Sequence, residues 1–248
     1  MGETKTISTL FYIGATGYIG GAVLADLVKV HPDLKITALV RNPSHFQAIR
    51  DLGVEIVRGS FGDVEIISSH ARSADVTLNF GDSDDVTLNE AILAGQKARV
   101  EEDGKPRAIL LHTSGVAELS DGGKEGKHDA NGKLWNDGVE ADIRSITPQM
   151  LHGQVDVPIF HASDQGYTES YTVCPAAVVG PSTGPIPASS AFFKYLTQFV
   201  LASKKPLYVG EGANLFHAVH LEDLVDLYRL VFARILSRTD AKASPYAR

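Results

Sequence analysis

The sequence has a single cysteine, Cys174, among 248 residues. One thiol cannot form an internal disulfide, which excludes a disulfide-stabilised scaffold and is typical of a reducing compartment. No apolar run approaches the roughly 20 residues that a membrane-spanning helix needs. The first five residues also lack the basic-then-apolar pattern of a secretory signal. We therefore expect a soluble protein of the cytoplasm.

An excess of basic residues is also missing. The chain has 23 Lys and Arg against 30 Asp and Glu, a net charge of −7. This balance gives no overall attraction to nucleic acid or to an anionic membrane, and we expect neither as a partner. Hydrophobic residues make up 44% of the chain and charged residues 21%, which is enough for a core and gives no indication of disorder.

The first thirty residues follow the order strand, glycine-rich turn, helix. Residues 6–13 are rich in β-branched and aromatic side chains, and residues 22–28 have a helical apolar pattern. Between them, Gly14 suits a tight turn, Gly17 would let the backbone approach a diphosphate, and Gly20 would permit close helix–strand packing. The helix would then direct free N–H groups and its positive dipole end at the phosphates. This order indicates a dinucleotide-binding turn.

The second predicted strand, residues 35–40, ends at Arg41. A site that prefers NAD usually has a carboxylate here, about 20 residues after the glycines, to bind the ribose hydroxyls. A guanidinium can instead bind the 2′-phosphate of NADP(H) through paired hydrogen bonds. We therefore favour NADP(H) over NAD(H); the alternative is that Arg41 only ends the strand in solvent. Asn42 and Pro43 are predicted to cap and begin the next helix.

Strand and helix patterns alternate along the rest of the chain. Further strands are predicted at residues 54–58, 75–80, 108–112, 171–176, 207–209 and 216–220, and helices at 63–72, 85–102, 139–146, 189–202 and 221–236. Repeated β-α units of this length predict an α/β fold with a doubly wound parallel sheet of the Rossmann type. Ligands of such a sheet bind beyond the carboxyl ends of its strands.

The chain is expected to form one compact unit with two parts. Residues 1–180 would form the dinucleotide-binding domain and residues 181–248 a small substrate-side lobe, with a polar tail from residue 237. The glycine-rich segment 118–136 is predicted to be a surface loop or lid. The proline- and glycine-rich segment 180–187 is predicted to face the substrate.

Four segments, in this order, resemble the extended short-chain dehydrogenase/reductases and their atypical NmrA-like relatives. They are Gly14-Ala15-Thr16-Gly17-Tyr18-Ile19-Gly20, His112-Thr113-Ser114-Gly115, Cys174-Pro175-Ala176-Ala177-Val178-Val179-Gly180-Pro181 and Phe216-His217-Ala218-Val219-His220-Leu221-Glu222-Asp223-Leu224. The resemblance covers essentially the whole chain.

The resemblance implies a set of site residues. Ser114 would hydrogen-bond the reacting carbonyl or alcohol, and it is the single catalytic residue that the resemblance implies. The cofactor contacts would run from the pyrophosphate at residues 16–19, through the adenine beside Asp63, to the nicotinamide at residues 175–178. The implied cofactor-binding residues are Gly14, Thr16, Gly17, Tyr18, Ile19, Arg41, Asp63, Phe80, Gly81, Thr113, Pro175 and Val178.

The catalytic pair of that family is missing. Its members have a tyrosine, followed four residues later by a lysine, on a helix after the fifth strand. Between Ser114 and residue 171 the only tyrosine is Tyr167, and Tyr171 stands four residues after it. The helix was expected near residues 133–140, where no such pair occurs.

Several residues could replace the missing pair. Strand side chains alternate, so His112 would share a face with Ser114 while Thr113 points away. His112 could then act as an acid or base; the alternative is a satisfied histidine at a strand end. The other candidates lie in the glycine-rich loop and are Lys127, His128 and Lys133.

No histidine spacing indicates a metal site. His152 and His161 are too far apart for a pair on one helix, and His217 and His220 lie on a predicted strand without a neighbouring cysteine. We therefore expect no metal.

These patterns predict an NADP(H)-dependent oxidoreductase for a small carbonyl or alcohol, with Ser114 orienting the oxygen. Two alternatives stay open. One is an epimerase or isomerase that uses the cofactor without net redox change, and the other is an NmrA-like sensor that binds nucleotide without catalysis. A homodimer through the helix at residues 85–102 is a further expectation.

Overall fold

A computed structural model of the protein describes residues 7–121, 124–127 and 129–237. Its main sheet consists of six parallel strands: β1 (Thr9–Ile13), β2 (Lys35–Val40), β3 (Glu55–Arg58), β4 (Val76–Asn79), β5 (Ala108–Thr113) and β6 (Thr168–Val173). Their spatial order is β3-β2-β1-β4-β5-β6. This is the strand order of the Rossmann fold, so the predicted fold class is confirmed.

Helices cover both faces of the sheet. The described helices are α1 (Tyr18–Val30), α2 (Phe46–Arg50), α3 (Val64–Ser73), α4 (Val86–Glu101), α5 (Glu140–Arg144), α6 (Gly153–Asp164), α7 (Ala191–Ser203) and α8 (Leu221–Leu236), of which α5 and α7 bury no residue. Side chains from α1, α2 and α8 pack on one face, and those from α3, α4 and α6 on the other. Two short parallel strands, β7 (Ala177–Val179) and β8 (Ala218–His220), pair separately beside the main sheet.

The strands are apolar on both sides because both faces of the sheet are covered. In β1, Leu10 and Tyr12 pack into one core cluster while Phe11 and Ile13 pack into the other. Pairing places Ile13 opposite Asn79, and Asn79 opposite His112. The glycine turn, the end of β4 and the end of β5 therefore emerge side by side at the carboxyl edge of the sheet.

Several predicted elements match the structure closely. The strand at residues 35–40 and the helix at 221–236 have the predicted bounds, and most others differ by one to three residues. The amide oxygen of Asn42 accepts a hydrogen bond from the Ser44 N–H at 3.1 Å, and Pro43 opens a short 3₁₀ turn before α2. Within the described residues, no helix has the length and apolar character to cross a membrane.

Other predictions were wrong in position or in kind. The strand predicted at 171–176 lies at 168–173, because pairing with β5 buries Thr168 and Pro175 cannot continue a ladder. The strand predicted at 207–209 is irregular. The chain beyond it hydrogen-bonds instead to the loop at Glu125 and Gly126, through the Glu211 and Ala213 N–H groups.

The helical prediction missed one element and overestimated another. The helix predicted at 139–146 is the five-residue α5, whereas α6 was not predicted. Segment 118–136 is mostly irregular where it is described: it begins within a short 3₁₀ turn at Val116–Leu119 and contains another at Lys124–Gly126. Residues 122, 123, 128 and 238–248, which include most of the predicted tail, lie outside the described residues.

Candidate functional site at the carboxyl edge of the sheet

The glycine turn between β1 and α1 is packed against β4. Gly14 has a φ of +90°, and a Cβ added there would lie 2.3 Å from the Phe80 carbonyl oxygen. A Cβ at Gly20 would lie 2.4 Å from the Gly14 carbonyl oxygen. A Cβ at Gly17 would contact only the Gly14 oxygen, at 3.2 Å. Gly14 and Gly20 are therefore required by packing, whereas Gly17 leaves open space in front of the helix.

The amino end of α1 is suited to an anion. Gly17 is its N-cap and offers no side-chain hydrogen bond, and the first turn has no acidic residue. The first N–H groups of a helix need an acceptor from outside the helix. A diphosphate in the space before Gly17 would provide one.

Tyr18 is used to hold a loop. Its ring is buried, and its hydroxyl donates to the Gly180 carbonyl oxygen at 2.7 Å. Further along the same loop, Gly184 packs directly on Gly21 of α1. The proline- and glycine-rich segment is therefore docked on the first helix beside the glycine turn.

Arg41 and Asp63 both follow strands at the carboxyl edge. Arg41 is exposed at the end of β2. Asp63 lies just before α3, where its carboxylate accepts hydrogen bonds from the Ser60 N–H at 2.6 Å and the Ser60 hydroxyl at 2.7 Å. These bonds, that of the backbone first, lower the pKa of Asp63. Asp63 thus shapes the loop after β3.

Two further predicted residues, Phe80 and Thr113, face α8, while a third, Gly81, lies near α4. Phe80 packs between Tyr12 and Tyr228, with ring centroids 5.2 and 5.0 Å away. The hydroxyls of Thr113 and Tyr228 lie 2.6 Å apart. Gly81 donates its N–H to the Asn79 side chain at 3.0 Å.

Pro175 and Val178 stand on the segment that leaves β6. The Pro175 carbonyl accepts the Val116 N–H at 3.0 Å, and Val178 is a buried residue of β7. The Val116 bond ties this segment to the chain just beyond Ser114.

Ser114 belongs to a buried polar cluster. Its hydroxyl donates to Oδ2 of Asp156, and His112 Nε2 lies 3.3 Å from the other carboxylate oxygen. Asp156 projects from α6 and is fully buried. His112 and Ser114 therefore share a face, as strand alternation predicts, while Thr113 points to α8.

The tautomer of His112 follows from its neighbours. The amide oxygen of Asn79 accepts the Gly81 N–H, so the Asn79 NH₂ group faces His112 Nδ1, at 3.2 Å. Nδ1 is then an acceptor, and the ring proton is on Nε2. Nε2 lies 3.3 Å from Oδ1 of Asp156 but makes no hydrogen bond within the described residues, so His112 is only partly satisfied.

Glu118 adds a second carboxyl group to the cluster. Burial, followed by the negative charge of the adjacent Asp156, raises the pKa of Glu118 to about 8. Glu118 therefore holds a proton at neutral pH beside the Asp156 carboxylate. Asp156 accepts a hydrogen bond from Ser114, whereas its Oδ1, both Glu118 carboxyl oxygens and His112 Nε2 are buried without a hydrogen-bond partner among the described residues.

Cys174 completes the cluster. Burial, followed by the charges of Asp156 and Glu118, raises the pKa of the thiol to about 12. Ligand atoms of Glu118, Asp156 and Cys174 lie within 4.8 Å of one another, a donor set that could suit a divalent cation. Glu118 and Cys174 would each have to lose a proton to bind such a cation.

His152 lies at the outer side of this cluster. Its Nδ1 is 2.8 Å from Oδ1 of Asp84, which follows β4. Its Nε2 is 2.9 Å from the position that a Cβ on Gly115 would occupy. The ring therefore rests on the turn directly after Ser114, and it fits there because Gly115 has no side chain.

His152, Asp156, Asp84 and Glu118 were missed as functional residues. Gly153 and Pro158 weaken the helical pattern of α6. The available signal was the buried apolar spacing of Val155, Ile159 and Ala162. His152 and Asp156 are four residues apart after β5, the spacing of the missing tyrosine–lysine pair.

The predicted substitutes from the loop are engaged elsewhere. Lys133 Nζ lies 3.2 Å from Asp142 and 3.5 Å from the centre of the Trp135 ring. Lys127 Nζ lies within 3.9 Å of Glu125 and Glu211 carboxylates. His128 lies outside the described residues.

Solved structures share this fold. The PbgP3 protein of Burkholderia pseudomallei superposes with a TM-score of 0.61 and 14% identity, covering 92% of this chain and 71% of its own. UDP-glucose-4-epimerase of Stenotrophomonas maltophila, solved with bound NAD, has the same TM-score and identity and covers 93% and 75%. Together with the strand order and the glycine turn, these likenesses identify a Rossmann-type protein with the fold of the extended short-chain dehydrogenase/reductases, as the resemblance implied.

The sequence comparisons are more specific about the first half of the chain. The profile of the NAD(P)H-binding family matches residues 14–142, and the chain belongs to that family. It is also 27% identical over 226 residues to Oxidase ucsJ of Acremonium sp. That match covers 88% of this chain but 64% of the relative, so the chain spans less than two thirds of that protein.

Proposed function

We propose that this protein is an NADP(H)-dependent oxidoreductase that acts on a small, largely apolar carbonyl or alcohol. The observation that supports it most is the placement of Ser114. A serine hydroxyl held by a buried carboxylate stands at the carboxyl edge of a Rossmann sheet, two strands from an uncapped glycine turn. Ligands of this fold bind at that edge.

The residues at the edge fit a dinucleotide. The open space at Gly17 and the free N–H groups of α1 would hold the diphosphate. Arg41 would bind the 2′-phosphate, since its exposed guanidinium follows β2. When bound, NADP(H) supplies or accepts the hydride.

Ser114 would bind and orient the substrate oxygen. Its hydroxyl proton points to Asp156, so its oxygen would accept a hydrogen bond from an alcohol, and the proton would turn to the substrate when a carbonyl binds. Burial of this cluster keeps water from the reacting oxygen.

Nucleotide titration, followed by fluorescence, tests the cofactor proposal. Arg41→Ala should weaken NADPH binding by about 1–3 kcal/mol, the contribution of a charge-assisted hydrogen bond, while NADH binding changes little. Lys35→Ala is the matched control, because Lys35 is an exposed cation at the opposite end of the same strand. Equal loss for both nucleotides would contradict the NADP(H) preference.

Turnover is then measured as NADPH consumption with a panel of aldehydes and ketones. Ser114→Ala should abolish most of any activity found. NADPH binding without turnover on any compound would favour the sensor function instead.

We also propose a cytoplasmic location and a homodimer that forms through α4. We further propose that the chain divides at residue 180 into the dinucleotide-binding domain and the substrate-side lobe. The lone cysteine supports the location. Packing of α8 on α1 within one core cluster supports a single compact unit.

A further inference from the structure

The missing tyrosine leaves the reaction without an obvious proton donor or acceptor. We propose that His152, oriented by Asp84, is that group. This inference rests on the proposed function, because it assigns a catalytic residue to the same site.

The position of His152 supports the assignment. It immediately precedes α6, the helix that also provides Asp156, and residues four apart share a helix face. Asp156 binds Ser114, and the His152 ring lies against the turn at Gly115. The two residues thus flank the serine that would hold the substrate oxygen.

The chemistry of the ring is set by Asp84. Its carboxylate, 2.8 Å away, accepts the proton of Nδ1. In the neutral ring, Nε2 is then left with a lone pair. Nε2 makes no hydrogen bond within the part of the chain that the structure describes. The side chain is 12% exposed, which gives the ring access to solvent.

The proton balance is simple in both directions. In carbonyl reduction, His152 would start as the imidazolium, with a proton on each ring nitrogen, and would give its Nε2 proton to the carbonyl oxygen, while the bound reduced cofactor would supply the hydride. The neutral ring would then recover a proton from solvent. In alcohol oxidation, the neutral ring would accept the hydroxyl proton at Nε2, while the bound oxidised cofactor would accept the hydride.

No other described group at this edge is as well placed. His112 and Glu118 are both almost fully buried, at 1% and 2% exposed, whereas the His152 side chain is 12% exposed. His152 also has a φ of +67°, a left-handed conformation that is costly for a side chain other than glycine, asparagine or aspartate. Such strain tends to occur at functional sites.

The test uses His152→Gly, because glycine accepts the positive φ and leaves a cavity of imidazole shape. We expect the turnover number for a carbonyl substrate to fall about 100-fold, with NADPH affinity within about twofold of wild type, since the ring contributes proton transfer alone. Imidazole added to the buffer should restore part of the rate. His161→Ala, an exposed histidine on the same helix, should leave the rate unchanged.

A second measurement is independent of turnover. In long-range ¹H–¹⁵N spectra of the free protein, the neutral His152 ring should have its proton on Nδ1, and Asp84→Asn should change that tautomer. The His152→Gly spectrum assigns the signals.

The outcomes separate the two proposals. If wild type consumes NADPH and His152→Gly is equally active, or is inactive and imidazole restores nothing, the inference is overturned while the proposed function stands. A neutral His152 ring with its proton on Nε2 instead of Nδ1 in wild type overturns it too. If wild type binds NADPH but turns over no compound, the proposed function fails and the inference fails with it.

Discussion

Two buried charges stand at opposite edges of the sheet, and their surroundings differ. At the amino edge, the Arg99 side chain is 2% exposed and donates to four carbonyl oxygens, those of Arg72, Ser73, Ala74 and Pro106. It also pairs with Asp75 at 3.1 Å. Its positive charge is therefore met by an opposite charge and by a complete set of acceptors.

At the carboxyl edge, the charge of Asp156 faces a second carboxyl group. Glu118 keeps its proton because Asp156 is negative and both groups are buried. Such an arrangement costs stability, whereas the Arg99 network adds to it. The comparison indicates that the amino edge stabilises the fold, whereas the proposed function assigns the chemistry to the carboxyl edge.

Arg99→Met should give the largest loss of stability. It removes the buried cation that pairs with Asp75 and leaves several carbonyls without the Arg99 hydrogen bonds, so we expect the free energy of unfolding to fall by about 3–5 kcal/mol. Urea denaturation measures this loss. Lys97→Met, an exposed substitution on the same helix, should change it by less than about 0.5 kcal/mol. A loss below about 1 kcal/mol for Arg99→Met would contradict the structural role.

Asp156→Asn should change stability little and reduce turnover, whereas Arg99→Met mainly reduces stability. Removing the charge relieves Glu118 and offsets the weakened hydrogen bond, so stability should change by about 1 kcal/mol or less. Turnover should fall at least about tenfold, because Ser114 loses its charged partner. Kinetics and urea denaturation of one preparation test both statements. A stability loss as large as that of Arg99→Met would remove the contrast between the two edges.

Some features of the carboxyl edge could be predicted from the sequence, and others could not. The glycine turn, β2 and α8 have strong local patterns, and strand alternation alone was enough to place His112 and Ser114 on one face. Glu118 carries no such signal. It lies at the start of a glycine-rich segment that predicts a surface loop, and its burial depends on where that segment folds back.

Asp156, Asp84 and His152 were missed for a related reason. Their importance comes from contacts 42 and 68 residues apart in sequence, which no local pattern contains. The i, i+4 spacing of His152 and Asp156 is present in the sequence. It matters only on a helix, and Pro158 weakens the helical pattern there, so no helix was predicted. The cluster could be assembled only once α6 was packed beside β5.

Glu118→Gln should alter the pH dependence of stability. The folded-state pKa of Glu118, about 8, lies above its usual value of 4.5. The folded state therefore binds more protons than the unfolded state between these values, and stability falls as pH rises through this window. The stabilisation that comes from keeping Glu118 protonated is complete below about pH 4.5 and is lost above about pH 8.

Glutamine keeps a donor for Asp156 and cannot titrate. The variant should therefore lack a slope of up to about 1.4 kcal/mol per pH unit between pH 5 and pH 8. Urea denaturation across this range, for wild type and variant together, measures the difference. Parallel curves would show that Glu118 does not hold a proton in this range.

The smallest expected effect is on the reactivity of Cys174, which is the single thiol of the chain. Burial and the negative charge of Asp156 raise its pKa to about 12, so alkylation by iodoacetamide should be slow in the folded protein. Asp156→Asn removes that charge and should increase the alkylation rate a few-fold, whereas Lys97→Met should leave it unchanged. The increase should stay small because burial, which is the larger cause of the raised pKa, remains in the variant. If the wild-type thiol already reacts at the rate of an exposed cysteine, the carboxyl-edge cluster is open to solvent. The cluster would then differ from the buried Arg99 network in solvent exposure rather than in charge.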